Sequence, residues 1–311
     1  MKIYNGISEF KRLDKAIVTS GTFDGVHLGH QKILQRIVQT ALKEKGETVL
    51  ITFWPHPRLV LQPDIELFLI NTFEEKAILL EKFGIDHLIK LPFTREFSNL
   101  TSEDFIKDIL IKGIGTKKLV IGYNHRFGKN REGSFDHLMA HQHHYGFEVE
   151  EIPRQEIDDM GVSSTRIRKA ILEGHIDLAN RFLGYKYTLT GQVVNGDKIG
   201  RQIGFPTANI VVSSANKIIP GDGVYPVFVR LGKDTLKGML YIGNRPTLNG
   251  LKRSIEVNIF DFNEDIYDKS ITIEFIKQTR GDLVFKNLEE LRQQLIRDKE
   301  ESLKIFTSHD T

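Results

Sequence analysis

Two hydrophobic patterns divide the chain into two parts. From about residue 16 to 184, short apolar runs alternate with segments whose apolar residues recur at helical spacing. Alternating strands and helices of this kind are typical of a parallel sheet covered by helices. The predicted strands are Ala16–Thr19, Val49–Phe53, His87–Leu91, Lys118–Ile121 and Phe147–Ile152. The predicted helices cover residues 34–42, Phe73–Phe83, Thr101–Ile111, Ser134–Tyr145, Thr165–Glu173 and Ile176–Arg181.

Beyond Tyr185, apolar and polar residues alternate in short segments that are separated by Gly, Asn and Asp turns. The predicted strands are Tyr187–Val194, Ala208–Val212, Tyr225–Arg230, Met239–Ile242, Ile255–Phe260 and Ile271–Ile276. One amphipathic helix, Leu288–Ile296, follows them. We therefore predict an α/β domain with a parallel sheet at residues 1–184 and a small antiparallel β-barrel with a terminal helix at residues 185–311.

Composition narrows the functions open to the chain. Lys and Arg total 43 and Asp and Glu total 41, so the formal charge of +2 does not favour nucleic acid as a partner. The sequence contains no cysteine, which excludes disulfides, thiolate nucleophiles and iron–sulfur clusters. No apolar run approaches membrane-spanning length, and the first residues lack a signal-peptide pattern. We expect a cytoplasmic protein with no nucleic-acid or membrane partner, and the oligomeric state is left open.

The first chemical motif is Gly-Thr-Phe-Asp-Gly-Val-His-Leu-Gly-His at residues 21–30, between a predicted strand and helix. Backbone amides at a helix start favour a bound anion, and the two histidines, three positions apart, share one face of the first turn. Nucleotidyl transfer needs donors around the α-phosphate, where charge develops, and needs no enzyme nucleophile. The alternative is a glycine turn with two surface histidines.

This motif resembles the signature of the HxGH nucleotidylyltransferase superfamily, and its first five residues are similar to those of bacterial FAD synthetases. The resemblance implies a Rossmann-like domain in which His27 and His30 are catalytic. It also implies an ATP site whose residues are Gly21, Phe23, Asp24 and Gly25.

Three further segments fit the same resemblance. The Pro-His-Pro stretch resembles the family's loop beside the flavin, which implies flavin contacts at Phe53, Pro55, His56 and Pro57. Residues 122–128 resemble the loop that contributes a polar side chain near the reacting phosphates, here Asn124. Residues 163–168 resemble the second phosphate motif, which implies phosphate contacts from Ser164, Thr165 and Arg168. Without the resemblance, that last segment would be a helix cap followed by an exposed basic face.

The second motif runs from Gly191 to Asn209 and closely resembles the riboflavin kinase signature, including its Pro-Thr-Ala-Asn element. Its glycines, among them Gly200 and Gly204, allow backbone amides to wrap a phosphate, while Thr207 and Asn209 offer hard oxygen ligands for Mg²⁺. Without the resemblance, the segment would be a barrel hairpin with glycine corners.

In the same family a glutamate on a later strand takes the proton of the ribityl hydroxyl, and the segment Ser254–Phe262 matches that strand at Glu256. Taken alone, Glu256 would be an outward-facing residue that aids solubility. The resemblance also implies flavin-side loops at residues 243–247 and 280–285, with Arg245 and Arg280 as flavin contacts.

The resemblance covers nearly the whole chain and implies two activities. The barrel would convert riboflavin and ATP to FMN, and the first domain would join FMN to AMP from a second ATP to give FAD, with Mg²⁺ in both steps. Two rivals remain: another nucleotidylyltransferase, acting on pantetheine phosphate or a nicotinamide nucleotide, and a non-catalytic flavin or nucleotide sensor. The barrel motif disfavours the first rival, and the intact base and phosphate-binding residues disfavour the second.

Some positions depart from the family pattern or stay open. His125 stands where the family has an aromatic residue, and Asp282 and Val284 replace a glutamate and a lysine. Trp54 is either a core residue or a wall of the flavin site. Four further histidines lie close together in the sequence: His137, His141, His143 and His144. A pair four residues apart suggests a zinc site, but without cysteine or a third ligand nearby we favour a solvated helix face. The geometry between the domains, the transfer of FMN and the preferred flavin redox state are left open.

Overall fold

The computed structural model describes residues 1–123, 125–153, 161–196, 199–247 and 250–308. At residues 199, 245–247 and 250–252 it describes the backbone without the side chains. The chain forms two compact units, Met1–Ser164 and Thr165–Thr311. Among the helices in these ranges, none is both long enough and apolar enough to cross a membrane.

A parallel sheet with helices organises the first unit. Its strands are β1 (Lys2–Tyr4), β2 (Ala16–Ser20), β3 (Glu47–Trp54), β4 (His87–Pro92), β5 (Thr116–Gly122) and β6 (Glu148–Ile152). Its helices are α1 (Leu28–Glu44), α2 (Pro57–Leu61), α3 (Phe73–Lys82), α4 (Ser102–Asp104) with a π-helical continuation (Phe105–Ile114), and α5 (Phe135–Tyr145). The strands lie in the order β1-β4-β3-β2-β5-β6, and each pairing is parallel.

Successive strand residues fill the two sides of this sheet. Ile17 and Leu50 pack with buried residues of α1 and α3, whereas Val18 and Ile51 pack with the π-helix and α5. All four side chains are fully buried. Strands that are covered on both faces need apolar residues at consecutive positions, which is the pattern that predicted them. The fold class predicted for the first part is confirmed.

Some local elements of the first unit were not predicted. Strand β1 adds an edge to the sheet through parallel pairing with β4, although its three residues contain no apolar run. The predicted helix at Thr101–Ile111 forms, and the Thr101 side chain caps it by accepting a hydrogen bond from the Asp104 amide. However, most of this helix has π geometry, and it continues to Ile114, which is fully buried.

A closed six-stranded barrel organises the second unit. Its strands are β7 (Thr188–Val194), β8 (Ala208–Val211), β9 (Gly223–Leu231), β10 (Asp234–Thr247), β11 (Gly250–Ile259) and β12 (Ser270–Phe275). The order around the barrel is β10-β11-β8-β7-β12-β9, and neighbouring strands are antiparallel. The helices are α6 (Ser164–Leu172, which starts at the last residue of the first unit), α7 (Ile176–Leu183), α8 (Ile199–Gln202) and α9 (Leu288–Thr307). The antiparallel barrel with a terminal helix is confirmed.

Helix α9 is longer than predicted because its second half is also buried. Phe306 packs against Phe228 with ring centroids 5.1 Å apart, and Ile305 joins the same cluster on the outside of the barrel. The polar residues Asp298 and Ser302 are also buried on this helix. The helix ends at Thr307, so the predicted end at Ile296 is wrong. The prediction stopped early because these two polar residues interrupt the apolar pattern.

The compact units divide at residue 164, twenty residues before the predicted boundary at 184. Hydrogen bonds of Asn180 hold α7 to the barrel: its Nδ2 donates to the Phe275 oxygen at 2.9 Å, and its Oδ1 accepts from the Tyr187 amide at 2.7 Å. These contacts explain why α6 and α7 group with the barrel, although their helical pattern resembles that of the first domain.

Candidate active sites

The motifs of the first unit follow the carboxyl ends of three adjacent strands. β2, β3 and β5 end at Ser20, Trp54 and Gly122. Since these strands are parallel, their ends lie along one edge of the sheet. The strand order also reverses here, because the chain continues from β2 to β3 on one side and later reaches β5 on the other. Open parallel sheets bind ligands in the crevice at such a switch point.

The loop between β2 and α1 has a strained backbone. Phe23 and Val26 have φ angles of 46° and 35°, and both side chains are buried. Such angles are costly for residues with a side chain, above all for a β-branched one. Packing of both residues against α1 and α3 holds the loop in this conformation. Strain that is maintained by packing is common at ligand sites.

Two stacked imidazoles lie at the start of α1. The ring centroids of His27 and His30 are 3.7 Å apart, with 15° between the ring planes. His27 caps the helix, and its Nδ1 accepts a hydrogen bond from the His30 amide at 3.3 Å. Because His27 is only 6% exposed, it is not one of the surface histidines of the alternative interpretation. The helix dipole favours an anion beside these rings.

His30 is uncharged near neutral pH. Burial lowers the pKa of His30 well below its usual value, and the charges of His27 and Lys76 lower it further. Its Nδ1 is buried without a hydrogen-bond partner in the described ranges of the chain. A polyphosphate bound nearby would favour the imidazolium, because an opposite charge raises the pKa of a histidine.

Asp24 holds the loop from the inside. Its Oδ1 accepts a hydrogen bond from the Ile70 amide at 3.0 Å, and its main-chain oxygen accepts one from Ser164 Oγ at 2.9 Å. The residue is 2% exposed, so its carboxylate is committed to the protein interior. These contacts fix the loop. Direct contact of Asp24 with ATP, like contacts from Gly21, Phe23 and Gly25, stays a prediction.

Lys76 belongs to this site although the sequence analysis missed it. The residue is 3% exposed, and its Nζ donates a hydrogen bond to the Thr22 oxygen at 2.7 Å. Its ammonium also lies 5.3 Å from the centre of the Trp54 ring. One sequence signal could have revealed it, because Lys76 falls on the stripe of α3 that contains the buried residues Phe73 and Leu80. Lysine is almost never fully buried unless it is paired, so a lysine on an apolar stripe indicates a buried polar partner.

The predicted flavin loop lies at the end of β3. His56 caps α2 by accepting a hydrogen bond from the Arg58 amide at 3.2 Å, and Pro57 begins that helix. Phe53 packs against the core, with its ring 5.9 Å from that of Phe93. Trp54 also packs on the core but remains partly exposed. It is therefore a core residue on one side, and its other side is open to the role of a flavin-site wall. Flavin contacts from Phe53, Pro55, His56 and Pro57 stay predictions.

The loop after β5 brings His125 to the carboxyl end of β2. Its Nε2 lies 3.0 Å from Ser20 Oγ, and burial lowers the pKa of His125 to about 4. Asn124, the predicted polar side chain, lies outside the described residues. Thr165 and Arg168 follow Ser164 on α6 within the second unit, and their phosphate contacts stay predictions.

In the second unit, Thr207 and Glu256 meet. Thr207 Oγ1 donates a hydrogen bond to Glu256 Oε2 at 3.2 Å. Glu256 is 2% exposed, which rules out the outward-facing solubility residue of the alternative interpretation. Asn209 lies directly opposite Glu256 in the pairing of β8 with β11, so both side chains point to the same side of the barrel wall. Gly196 makes room for Asn209, because a Cβ at residue 196 would lie 2.0 Å from Asn209 Nδ2.

A cavity of about 220 Å³ opens beside Thr207. Arg201, Asn263, Asp265 and Tyr267 contribute to its lining. Thr207 lines the cavity, and its hydroxyl contacts the buried carboxylate of Glu256, which does not itself line the cavity. This arrangement can hold a polar ligand in the cavity, with a proton acceptor in contact with one of the lining residues.

The glycine-rich turn before β8 borders this region. The Gly200 oxygen accepts a hydrogen bond from the Phe205 amide at 2.8 Å, which closes the turn. Gly204 has φ of 83°, a conformation that other residues rarely adopt. Residues 197 and 198 of the motif lie outside the described ranges, and phosphate contacts from Gly200 and Gly204 stay predictions.

Arg280 is engaged with α9. Its Nε and Nη2 donate hydrogen bonds to the two carboxylate oxygens of Asp298 at 2.9 and 2.7 Å. Next to it, Tyr241 donates a hydrogen bond to Asp282 Oδ1 at 2.9 Å, so the shorter Asp282 still anchors its loop. Val284 is 99% exposed. The side chain of Arg245 is not among those described, and flavin contacts from Arg245 and Arg280 stay predictions.

The donor atoms of the barrel site fit Mg²⁺. A hydroxyl, a side-chain amide oxygen and a carboxylate come together at Thr207, Asn209 and Glu256, and hard oxygen ligands of this kind suit Mg²⁺ bound with a nucleotide. Among the described residues, no group of three or more His, Cys, Asp or Glu side chains is placed to hold a metal ion.

Comparison with known proteins matches both halves of the chain. The family model for FAD synthetase matches residues 9–166, and that for riboflavin kinase matches residues 183–306. The bifunctional riboflavin kinase/FMN adenylyltransferase of Escherichia coli (strain K12) is 34% identical over 302 residues, which covers 96% of each chain. The protein of the same name from Bacillus subtilis (strain 168) is 36% identical over 301 residues, covering 94% of this chain and 93% of that protein.

A solved structure agrees with the fold of the full chain. The crystal structure of a macrolide-efflux protein from Streptococcus pneumoniae superposes with a TM-score of 0.87 at 32% identity, covering 97% of this chain and 98% of that one. Both family models and the full-length relatives point the same way. The chain belongs to the family of bifunctional riboflavin kinase/FMN adenylyltransferases.

Proposed function

We propose that this chain makes FAD from riboflavin in two ATP-dependent steps. The kinase, assigned to residues 185–311, converts riboflavin and ATP to FMN and ADP. The adenylyltransferase, assigned to residues 1–184, joins FMN to the AMP part of a second ATP and releases pyrophosphate. Both halves are transferases, and ATP is the co-substrate of each.

In the kinase half, Glu256 is the general base. Its carboxylate takes the proton of the terminal ribityl hydroxyl as that oxygen attacks the γ-phosphorus of ATP, and ADP leaves. Support comes from the burial of Glu256 and from its hydrogen bond to Thr207, which lines the neighbouring cavity. The cavity would hold the nucleotide, and the ribityl hydroxyl would approach on the Glu256 side of Thr207.

In the adenylyltransferase half, no enzyme nucleophile is needed. A phosphate oxygen of FMN attacks the α-phosphorus of ATP, and the bond to the pyrophosphate group breaks. His27, His30 and the amides at the start of α1 stabilise the negative charge that develops on the α-phosphate. The stacked rings and their place at the switch point of the sheet support this role.

Mg²⁺ belongs to the proposal as the partner of ATP. Thr207 and Asn209 would hold it in the kinase half, where it would neutralise charge on the transferred phosphoryl group. In the adenylyltransferase half the metal would arrive with the nucleotide. Removing Mg²⁺ with a chelator should therefore stop both steps.

One observation carries the proposal: each compact unit has its own cluster of buried polar groups that suits phosphate chemistry. The test is incubation of the chain with riboflavin, ATP and Mg²⁺, followed by chromatographic separation of the flavins. FMN should appear first and FAD later. If neither product forms, or if FAD forms without FMN as an intermediate, the proposal is wrong.

A further inference from the structure

Lys76 is a buried cation that neither the sequence motifs nor the proposed steps use. It is 3% exposed, whereas Lys82 on the same helix is exposed. Burying an ammonium group is costly, and burial lowers the pKa of Lys76 to about 8 although the charge of Asp24 opposes this. An apolar side chain would fill the same position at lower cost. A lysine that is buried despite this cost needs a partner for its charge.

The acceptor of Lys76 lies in the nucleotide loop itself. Its Nζ donates to the main-chain oxygen of Thr22 at 2.7 Å and to Thr52 Oγ1 at 3.4 Å, and Thr52 Oγ1 in turn donates to the Thr22 oxygen at 3.3 Å. Thr22 stands next to Phe23, which has positive φ, and five positions before His27. Hydrogen bonds to a charged donor are about twice as strong as neutral ones, so Lys76 is the stronger of the two donors.

A second contact joins the loop to the same helix from the other direction. The Asp24 carboxylate accepts hydrogen bonds from the amides of Ile70 and Asn71, just before α3 begins at Phe73. The loop therefore contacts α3 in two ways. Its Asp24 carboxylate binds the backbone just before α3, and its Thr22 carbonyl binds the Lys76 ammonium group of α3. Together these contacts hold residues 22–24 against one rigid element, at the point where the backbone is strained.

We propose that Lys76 is a positioning residue of the adenylyl-transfer site: its buried ammonium fixes the Thr22 carbonyl and thereby the conformation of residues 21–24 that receives ATP. This inference rests on the proposed function of the first unit. Lys76 acts through the loop, so its loss should weaken ATP binding more than it slows the chemical step. A misplaced binding group can cost about 10²-fold in activity even when it does not touch the reacting atoms.

The test uses the full-length chain with Lys76→Met, which keeps the length of the side chain and removes its charge. FAD formation from FMN is measured over a range of ATP concentrations to separate kcat from KM. Lys82→Met removes an exposed lysine from the same helix and is the matched control. Riboflavin phosphorylation by the same preparations shows whether the rest of the chain is intact.

We expect Lys76→Met to lower kcat/KM for ATP by about 10- to 100-fold, mainly through KM, with unchanged riboflavin phosphorylation. Lys76→Arg keeps the charged donor and should recover most of this loss. Thr52→Val removes the weaker donor to the same carbonyl, together with the more distant acceptor of Lys76, and should raise KM by a smaller factor. These two variants carry the test if Lys76→Met does not fold.

Two results would overturn the inference. One is a KM for ATP in Lys76→Met equal to that of the wild-type chain. The other is an equal loss in Lys76→Arg and Lys76→Met, which would show that the charged donor is irrelevant. Failure of the proposed function gives a different result, because then the wild-type chain itself would form no FAD from FMN.

Discussion

The first unit holds its two stacked imidazoles, the buried His27 and the partly buried His30, in different ways. His27 is held by the backbone, because its Nδ1 accepts the His30 amide as a helix cap. His30 is held by packing between His27 and Phe23, whose ring centroid is 4.9 Å from that of His30. Since His30 is neutral in the chain alone, ATP binding should be accompanied by proton uptake when the polyphosphate raises its pKa.

Replacing His27 by Asn tests the imidazole without removing the cap. Asn is a good N-cap residue, so α1 should remain stable. FAD formation from FMN should fall by about 10²-fold or more, because the developing charge loses a donor. Riboflavin phosphorylation by the same chain is the control and should not change. A variant that still makes FAD at the wild-type rate would contradict the role of His27.

The partly buried His125 makes stability depend on pH. Its folded pKa is about 4, below the ordinary value near 6.5, so the unfolded chain binds a proton between these values that the folded chain does not. Stability is therefore unaffected above about pH 6.5 and falls as the pH is lowered, by about 2 kcal/mol at pH 5.

His125→Phe should remove this part of the pH dependence. Urea unfolding of the variant and the wild-type chain at pH 7 and pH 5 measures the difference. Trp54 is the only tryptophan, so its fluorescence reports on the first unit. The variant should lose about 2 kcal/mol less than the wild-type chain between the two pH values. An equal loss in both would show that His125 is accessible to protons in the folded state.

At the residue scale, the sequence predicts groups that belong to local motifs. Spacing predicted that His27 and His30 share one face of the helix start, whereas the role of Asp24 was implied only by the family resemblance. Lys76 is separated from the loop by more than fifty residues, and only the fold brings the two together. The ion pair of Arg280 with Asp298 could not be predicted either, because Asp298 lies on the part of α9 beyond its predicted end.

At the scale of elements, the last helix is attached to the barrel by both packing and charge. Phe306 packs against the outside of the barrel, while Asp298 accepts two hydrogen bonds from the Arg280 guanidinium group. Asp298 also accepts a hydrogen bond from Gln294 at 2.9 Å, and its side chain is 2% exposed. The loop that starts at Arg280 is thus fixed relative to α9, next to the strand that carries Tyr241.

Asp298→Ala should therefore destabilise the second unit by about 3 kcal/mol, because it leaves the Arg280 charge without its partner. Loss of FMN formation with increasing urea measures this change. Asp261→Asn is the matched control, since Asp261 is exposed and its contact with Lys299 of α9 is 3.9 Å long. The control should change stability by less than about 0.5 kcal/mol. If both variants behaved alike, the buried pair would contribute nothing.

Element boundaries were predicted well where apolar periodicity was clean. The helix at Phe73–Phe83 and the strand at His87–Leu91 match α3 and β4 within one residue at each end. Prediction failed where polar residues are buried or where strands continue through turns. β10 begins at Asp234 and continues to Thr247, far beyond the predicted Met239–Ile242, because pairing with β9 and β11 extends it. That pairing depends on residues distant in sequence.

At the scale of the whole molecule, an FAD synthetase domain and a riboflavin kinase domain in one chain account for two consecutive reactions. The motifs predict a site in each half, because each half contains its own glycine-rich segment followed by polar residues at fixed spacing. The domain boundary at residue 184 stays a prediction, and the compact units divide at residue 164. Helices α6 and α7 have the pattern of an α/β domain, but the hydrogen bonds of Asn180 attach α7 to the barrel.

The most direct test of two separate sites is the Glu256→Gln chain supplied with either riboflavin or FMN, together with ATP and Mg²⁺. Gln retains an oxygen that can accept the Thr207 hydrogen bond but cannot take a proton from the ribityl hydroxyl. We predict that FMN formation from riboflavin falls by about 10²-fold or more, while FAD formation from FMN stays at the wild-type rate. Equal loss of both reactions, or unchanged phosphorylation of riboflavin, would contradict the account.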